Sequence, residues 1–274
     1  MLLNKRIPLK YIFNSIKKDV VYIVGVSLLI NSIILYNSHL LPEIPVAIPA
    51  FLGTAISLLL SFKLNQAYDR WWEARKIWGE IVNDSRTLVV QLKSFLKPTN
   101  QAAIKQITFR QIAWCYALTQ QLRKQKALGE IEKYFNENEF TALKKSQHIP
   151  LTILDLSTQQ VSSLQRDEQL NLFHQTQIDN TYVRLTASMG KAERIKNTVF
   201  PKTYSLFTHS IIYIFIIILS ISIAEIDYFY EIIMVTVIAI PFLLLERTSE
   251  QIQDPFENRP TDTPITKIAQ GIEL

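Results

Sequence analysis

Three side chains within one uncharged segment, Thr54, Leu58 and Phe62, have a spacing that suits the constriction of a pore. They recur at i, i+4 and i+8 and therefore lie on one face of a helix. Rings of apolar side chains around an axis gate pores by making water unfavourable inside the constriction. The spacing alone favours ordinary packing between helices, so a row of constrictions is a functional alternative that other residues must support.

The segment that follows these residues is charged and aromatic, and no strong helix breaker separates the two. Asn65 and Asp69 continue on roughly the same helix face, where a pore would widen into water. The next charged and aromatic positions are Arg70, Trp71, Trp72, Glu73 and Arg75. Anchoring at a membrane interface explains the tryptophans, but it does not explain so many charges packed together. We therefore predict a vestibule here, with an ion-pair network between subunits.

Four apolar segments must position these residues, namely 20–41, 44–62, 203–224 and 226–245. Each is about as long as the roughly 20 helical residues that a ~30 Å hydrocarbon core requires. The fourth segment reaches this length only by including Asp227 and Glu231. Those carboxylates must then be shielded by neighbouring helices or lie among lipid headgroups.

The basic residues predict the orientation of these segments. Of the 29 Lys and Arg residues, five precede the first segment, 21 lie within 63–202 and three lie within 247–274. The turns 39–43 and 225–231 contain none, and their acidic residues are Glu43, Glu225, Asp227 and Glu231. This positive-inside pattern predicts a multi-pass protein with both termini in the cytoplasm. The basic excess therefore requires no nucleic-acid partner.

The remaining segments predict an all-α protein. Residues 63–202 form helical patterns, and no stretch shows the period-two alternation of a strand. We expect a helical cytoplasmic part over 63–202 and an extended C-terminal strap over 246–274, because Pro255 and Pro260 interrupt any helix there. Cys115 is the sole cysteine, so no intramolecular disulfide can form.

Signatures of catalysis are absent from the chain. It contains no glycine-rich phosphate loop, no His-Glu-x-x-His motif and no Cys/His cluster. We therefore expect neither an enzyme nor a cofactor or metal site. His209 lies within the third apolar segment, where we expect it to bond across helices; proton sensing is the alternative.

Three separated blocks, 60–88, 193–201 and 250–256, resemble the bestrophin family of pentameric ion channels in its compact bacterial form. The resemblance implies a single channel domain over 1–274 that assembles as a homopentamer around a central pore. It assigns the pore neck to Thr54, Leu58 and Phe62. It assigns the cytoplasmic aperture to Phe200. Thr54 is more polar, and Phe200 bulkier, than the residues usual at these positions.

The tail differs from that of eukaryotic bestrophins, which hold calcium with an acidic run after a Pro-Phe pair. Here Pro255 and Phe256 are followed by Glu257, Asn258 and Arg259. Calcium requires several oxygen ligands, usually carboxylates. We therefore predict no calcium clasp.

The resemblance implies a passive channel of a bacterial inner membrane, whose partners are its own copies, membrane lipid and permeating monovalent ions. The basic cytoplasmic part would concentrate anions such as chloride. The acidic outer turns would favour cations instead, so a cation-selective channel of the same architecture is the alternative. A transporter or a scaffold is more remote, since only His209, Pro49 and Pro241 suggest the polar or broken helices of a transporter.

Overall fold

The structure is a computed structural model that describes residues 9–36, 41–125, 128–198 and 201–273. No strand occurs in these ranges, which confirms the prediction of an all-helical fold. The α-helices are α1 (Leu9–Tyr36), α2 (Ala47–Phe95), α3 (Gln101–Leu122), α4 (Leu128–Ile131), α5 (Glu137–Lys145), α6 (Ile149–Arg166), α7 (Leu172–Asn197), α8 (Lys202–Ser222), α9 (Tyr228–Ile252) and α10 (Ile265–Glu273).

Four described helices are long and apolar enough to cross a membrane, judged by length and composition. The candidate spans are Ile16–Tyr36, Ala47–Phe95, Thr203–Ser222 and Tyr228–Ile252. The second begins at Ala47 rather than at 44, because Pro45 disfavours helical geometry at Ile44. The fourth begins at Tyr228 rather than at 226, because the Asp227 side chain accepts the Phe229 amide at 3.0 Å and caps the helix.

Helix α2 joins the apolar segment and the charged segment without interruption over 49 residues. It passes through Gly79 and ends at Phe95, three residues before Pro98. The continuous helix predicted from the sequence is therefore confirmed. Contacts divide the chain into two compact units, and α2 contributes residues 47–71 to one and 72–95 to the other.

The first unit comprises 72–198 and 255–274. Its core is built around two tryptophans, Trp78 and Trp114, whose side chains are fully buried. On α2 the buried positions recur every three or four residues, the period of one helix face. They are Ala74, Ile77, Trp78, Ile81, Ser85, Leu88 and Leu92. Helix α3 packs against this core with α6, α7 and α10.

The predicted strap over 246–274 is wrong at both ends. Helix α9 continues past 245 to Ile252, because no proline occurs between Pro241 and Pro255. Residues 265–273 form α10, whose Ile265 and Ala269 are completely buried on one face. Burial of this apolar face stabilises a short helix that local sequence alone does not predict. The extended part is confined to the prolines and turns between the two helices.

The second unit comprises the described residues of 9–36, 41–71 and 201–254. Helices α1, α8 and α9 pack together around an apolar core with the first part of α2. The completely buried members of this core include Ile23, Ile56, Ile212, Ile216, Val235 and Ala239. This unit contains the apolar parts of all four candidate spans, together with every predicted neck residue.

Candidate functional site: the exposed face of helix α2 and the charges behind it

The three predicted neck residues lie on the exposed face of α2. Leu58 is 60% exposed and Phe62 is 56% exposed, although both are large and apolar. The Thr54 hydroxyl is also exposed and donates to the Ala50 carbonyl at 3.0 Å, one turn earlier. Packing within the chain uses the opposite face, where Ile56, Leu60, Lys63 and Ala67 are buried. These three side chains therefore remain available to lipid, water or another copy of the chain.

Asn65 and Asp69 continue this exposed face, as the sequence predicts. Together Thr54, Leu58, Phe62, Asn65 and Asp69 form a row that we call the α2 stripe. Along the helix the row begins with the hydroxyl of Thr54, continues with the apolar Leu58 and Phe62, and ends with the polar Asn65 and the acidic Asp69. Such a gradient suits a narrow apolar constriction that opens into a wetter space.

The charges that follow make contacts within the chain. The Arg70 Nε donates to the Gln253 carbonyl at 3.1 Å. The Glu73 carboxylate forms an ion pair with Lys76 at 2.6 Å, one turn along the same helix. Arg75 is exposed. The structure contains one chain, so the ion-pair network between subunits stays a prediction. Phe200, the predicted aperture, lies outside the described residues.

A buried ion pair lies directly behind the stripe, and sequence reasoning missed it. The Lys63 ammonium lies 2.6 Å from Oε1 of Glu246, and neither residue has exposed surface. Lys63 also donates to the Ser205 hydroxyl at 3.1 Å. The pair joins α2 to α9. Charged residues at the ends of apolar helices commonly extend toward water. The sequence alone therefore gives no reason to expect that Lys63 and Glu246 are buried together.

His209 extends this cluster and bonds across helices, as predicted. Its Nδ1 lies 3.2 Å from Oε1 of Glu246 and 3.8 Å from Oε1 of Glu250. The three side chains have the proximity of metal ligands, with one ligand atom each within 4.8 Å of the others. The Lys63 ammonium already occupies the Glu246 oxygen, and its positive charge would repel a divalent ion placed beside it. The arrangement therefore favours an ionic network over a metal centre.

A second charged cluster ties α1 to α9. Asp19 is 2% exposed, and its two carboxylate oxygens each lie 3.2 Å from Nη2 of Arg247. The Tyr213 hydroxyl donates to the same carboxylate at 2.9 Å. Arg247 also reaches Glu250, at 3.3 Å. Buried charges of both signs are thus matched at this end of the helices, as low dielectric surroundings require.

The acidic residues of the predicted outer turns have different surroundings. Glu43 and Glu225 line a cavity of about 430 Å³ between the helix ends. Asp227 caps α9, and Glu231 is completely buried. Of the two alternatives for Glu231, shielding by neighbouring helices is therefore correct. Its carboxylate accepts hydrogen bonds from the Ser220 hydroxyl and from Nδ2 of Asn31, the latter at 2.9 Å.

Comparisons with known proteins agree with this architecture. The chain is 28% identical over 240 residues to the voltage-dependent anion channel-forming protein YneE of Escherichia coli (strain K12), covering 87% of this chain and 78% of that protein. It is 26% identical over 225 residues to the voltage-dependent anion channel-forming protein RSc3414 of Ralstonia nicotianae, covering 82% and 74%.

Among solved structures, a bacterial bestrophin homolog from Klebsiella pneumoniae, obtained by Zn-SAD phasing, superimposes with a TM-score of 0.88 at 26% identity. The match covers 94% of this chain and 96% of that one. The family model described as Bacterial/Fungal Bestrophin protein matches residues 7–274. The chain is therefore a member of the bacterial and fungal bestrophin family.

Proposed function

We propose that this chain forms a passive ion channel of a bacterial inner membrane, and that it passes small anions such as chloride. The observation that carries the proposal is the α2 stripe. Leu58 and Phe62 are exposed on a helix whose opposite face forms the core. Family membership and the names of the anion channel-forming relatives support the same function.

Assembly around a central axis accounts for the exposed apolar side chains. Five copies with the stripe turned inward would stack rings of Thr54, Leu58 and Phe62 along the pore. The rings of Leu58 and Phe62 would make water unfavourable between them. Because the Thr54 hydroxyl is exposed and bound to its own helix, the outermost ring would hydrate more easily than an apolar one.

The cytoplasmic side would then select and collect ions. Asn65 and Asp69 would line the start of a vestibule, with Arg70, Glu73 and Arg75 near the contacts between subunits. Phe200 would form the lower aperture. Both termini would be cytoplasmic, and the 21 basic residues of 63–202 would raise the local concentration of anions.

A cation-selective channel of the same architecture is the second candidate. Asp69 is exposed on the stripe, so five copies would place a ring of carboxylates beside the permeation path. Rings of acidic side chains are typical of cation channels. The cavity lined by Glu43 and Glu225 adds negative charge at the outer side. Two sets of charges compete at the constriction: the basic residues of 63–202, and the carboxylates of Asp69, Glu43 and Glu225. The charge of the permeating ion depends on which set dominates the electrostatic potential there.

Reversal potentials test both candidates. The purified, assembled protein is placed in a planar bilayer under a KCl gradient. A potential near the chloride equilibrium value would support the anion channel. A potential near the potassium value would support the cation channel. Absence of current from assembled protein, over a range of voltages, would contradict both.

A further inference from the structure

We propose that Glu231, together with Ser220 and Asn31, forms a binding site for a small alkali cation such as Na⁺ or K⁺. The site lies where α1, α8 and α9 meet, and its residues come from those three helices alone. It is separate from the α2 stripe, because α2 contributes no residue to it. The bound ion would serve to hold the three helices together.

Three carboxylates are buried among the described residues of the second unit, those of Asp19, Glu231 and Glu246. Glu246 has Lys63 at 2.6 Å, and Asp19 has Arg247 at 3.2 Å. Glu231 is equally buried, yet within the described ranges it forms no ion pair with Lys, Arg or His. A buried carboxylate without a positive partner costs several kcal/mol in surroundings of low dielectric. Glu231 therefore lacks the counter-charge that the other two possess.

The helix termini around Glu231 add to this deficit. Ser220 lies in the last turn of α8, at the negative end of the helix dipole, although the Leu219 and Ile221 carbonyls there accept backbone amides. No basic residue occurs in the last turn of α8 or of α1. The N-terminus of α9 offers only a partial positive charge to Glu231, which lies in its first turn. These helix ends therefore supply no full positive charge to balance the Glu231 carboxylate.

The Ser27 side chain provides independent support for a cation near Glu231. Ser27 is completely buried, and its hydroxyl has no hydrogen-bond partner among the residues that the structure describes. The Ser27 carbonyl accepts from Nδ2 of Asn31 at 2.9 Å, and the same Nδ2 donates to Glu231 at 2.9 Å. Ser27 is therefore linked to Glu231 through the side-chain amide of Asn31. The hydroxyls of Ser27 and Ser220 and the Glu231 carboxylate carry hard oxygen atoms of the kind that alkali cations prefer.

Asn31 has a positioning role in this arrangement. Its amide nitrogen donates to one carboxylate oxygen of Glu231, Oε2. The other oxygen, Oε1, contacts the Ser220 hydroxyl. The Ser220 hydroxyl donates to that oxygen in the absence of an ion, and a rotation about its C–O bond would present a lone pair instead.

Thermal unfolding of the assembled protein in detergent tests the site. Tm is measured in NaCl, KCl and choline chloride at equal ionic strength. We expect Tm to be several degrees higher in one or both alkali salts than in choline chloride, because ligands that bind only the folded state stabilise it. The increment should disappear in Glu231→Gln, whose amide keeps the shape and accepts a hydrogen bond. It should persist in Glu225→Gln, a matched change at an exposed carboxylate nearby.

A Ser27 variant and an infrared measurement test the site further. Ser27→Ala removes one oxygen without disturbing the carboxylate, and should raise the alkali cation concentration for half of the effect several-fold. Equal Tm values in the three salts would overturn the proposal, as would an increment that survives in Glu231→Gln. So would an infrared band of a protonated carboxylic acid in the wild type at neutral pH that Glu231→Gln lacks, since a proton would then neutralise the site.

Discussion

The ammonium of Lys63 lies 2.6 Å from the carboxylate of Glu246, while the preceding residue, Phe62, points to the exposed side of the same helix. This pair joins the buried face of α2 to α9, and Ile56, Leu60 and Ala67 are buried on the same face. The face opposite the α2 stripe is thus held by a buried ion pair as well as by apolar packing. Loss of the Lys63–Glu246 contact should therefore lower the stability of the protein and also disturb the position of the α2 stripe.

Removing one member of this pair should destabilise the protein strongly. We expect Lys63→Met to lower the free energy of unfolding by about 3–5 kcal/mol, because it leaves the Glu246 carboxylate buried without its cation. Combining it with Glu246→Leu should recover most of the loss. The exposed pair of Lys191 and Glu80 provides the control, and Lys191→Met should cost less than about 1 kcal/mol. Equal losses in both single variants, measured by denaturant unfolding, would contradict this interpretation.

The stripe should limit the ionic current. We expect the double variant Leu58→Ala and Phe62→Ala to raise single-channel conductance several-fold, because smaller side chains widen the constriction and let water enter. Leu29→Ala is the matched control, since Leu29 is 61% exposed on α1 rather than on α2. A bilayer recording in which both proteins conduct like the wild type would remove the stripe from the permeation path.

Ion preference should respond to the acidic end of the stripe. We expect Asp69→Asn to move the reversal potential under a KCl gradient toward the chloride equilibrium value, because it removes a ring of negative charge beside the path. Asp155→Asn, at an exposed position on α6, should leave the potential unchanged. If Asp69→Asn also leaves it unchanged, Asp69 does not face the permeating ions.

The single cysteine should be unreactive in the folded protein. Burial is the main cause that raises the pKa of Cys115 from 9.0 to about 12, and hydrogen bonds with Ser85 and Gln111 oppose it only partly. At pH 8 the thiolate, which is the reactive form, is therefore scarce. We expect iodoacetamide to modify Cys115 only after unfolding, as mass spectrometry would reveal. Rapid modification of the folded protein would contradict this environment.

The same shift has a consequence for stability. In the unfolded chain the thiol loses its proton above pH 9.0, whereas in the folded chain it keeps the proton up to about pH 12. This contribution is therefore fully present below pH 9.0 and is lost as the pH rises between these two values. Denaturation curves of the wild type and of Cys115→Ala should diverge in this window. Parallel behaviour would show that the thiol is not buried.

Local patterns in the sequence determined a large part of this protein. Hydrophobic length predicted the candidate spans, and the absence of a breaker predicted that α2 continues from Ala47 to Phe95. The i, i+4, i+8 spacing placed Thr54, Leu58 and Phe62 on one face. Helical periodicity and chain length act between near neighbours, so they can be read without knowledge of the fold. Three sequence blocks also sufficed to indicate the family.

Tertiary structure alone decided the partners of the buried charges. Lys63 and Glu246 are separated by 183 residues along the chain, and Asn31 and Glu231 by 200. Nothing in the local sequence distinguishes Glu246, which has a cation, from Glu231, which has none within the described part of the chain. Helix α10 likewise forms because a distant core covers its apolar face. Pairing and burial depend on which distant segments meet, and only the packed helices determine that.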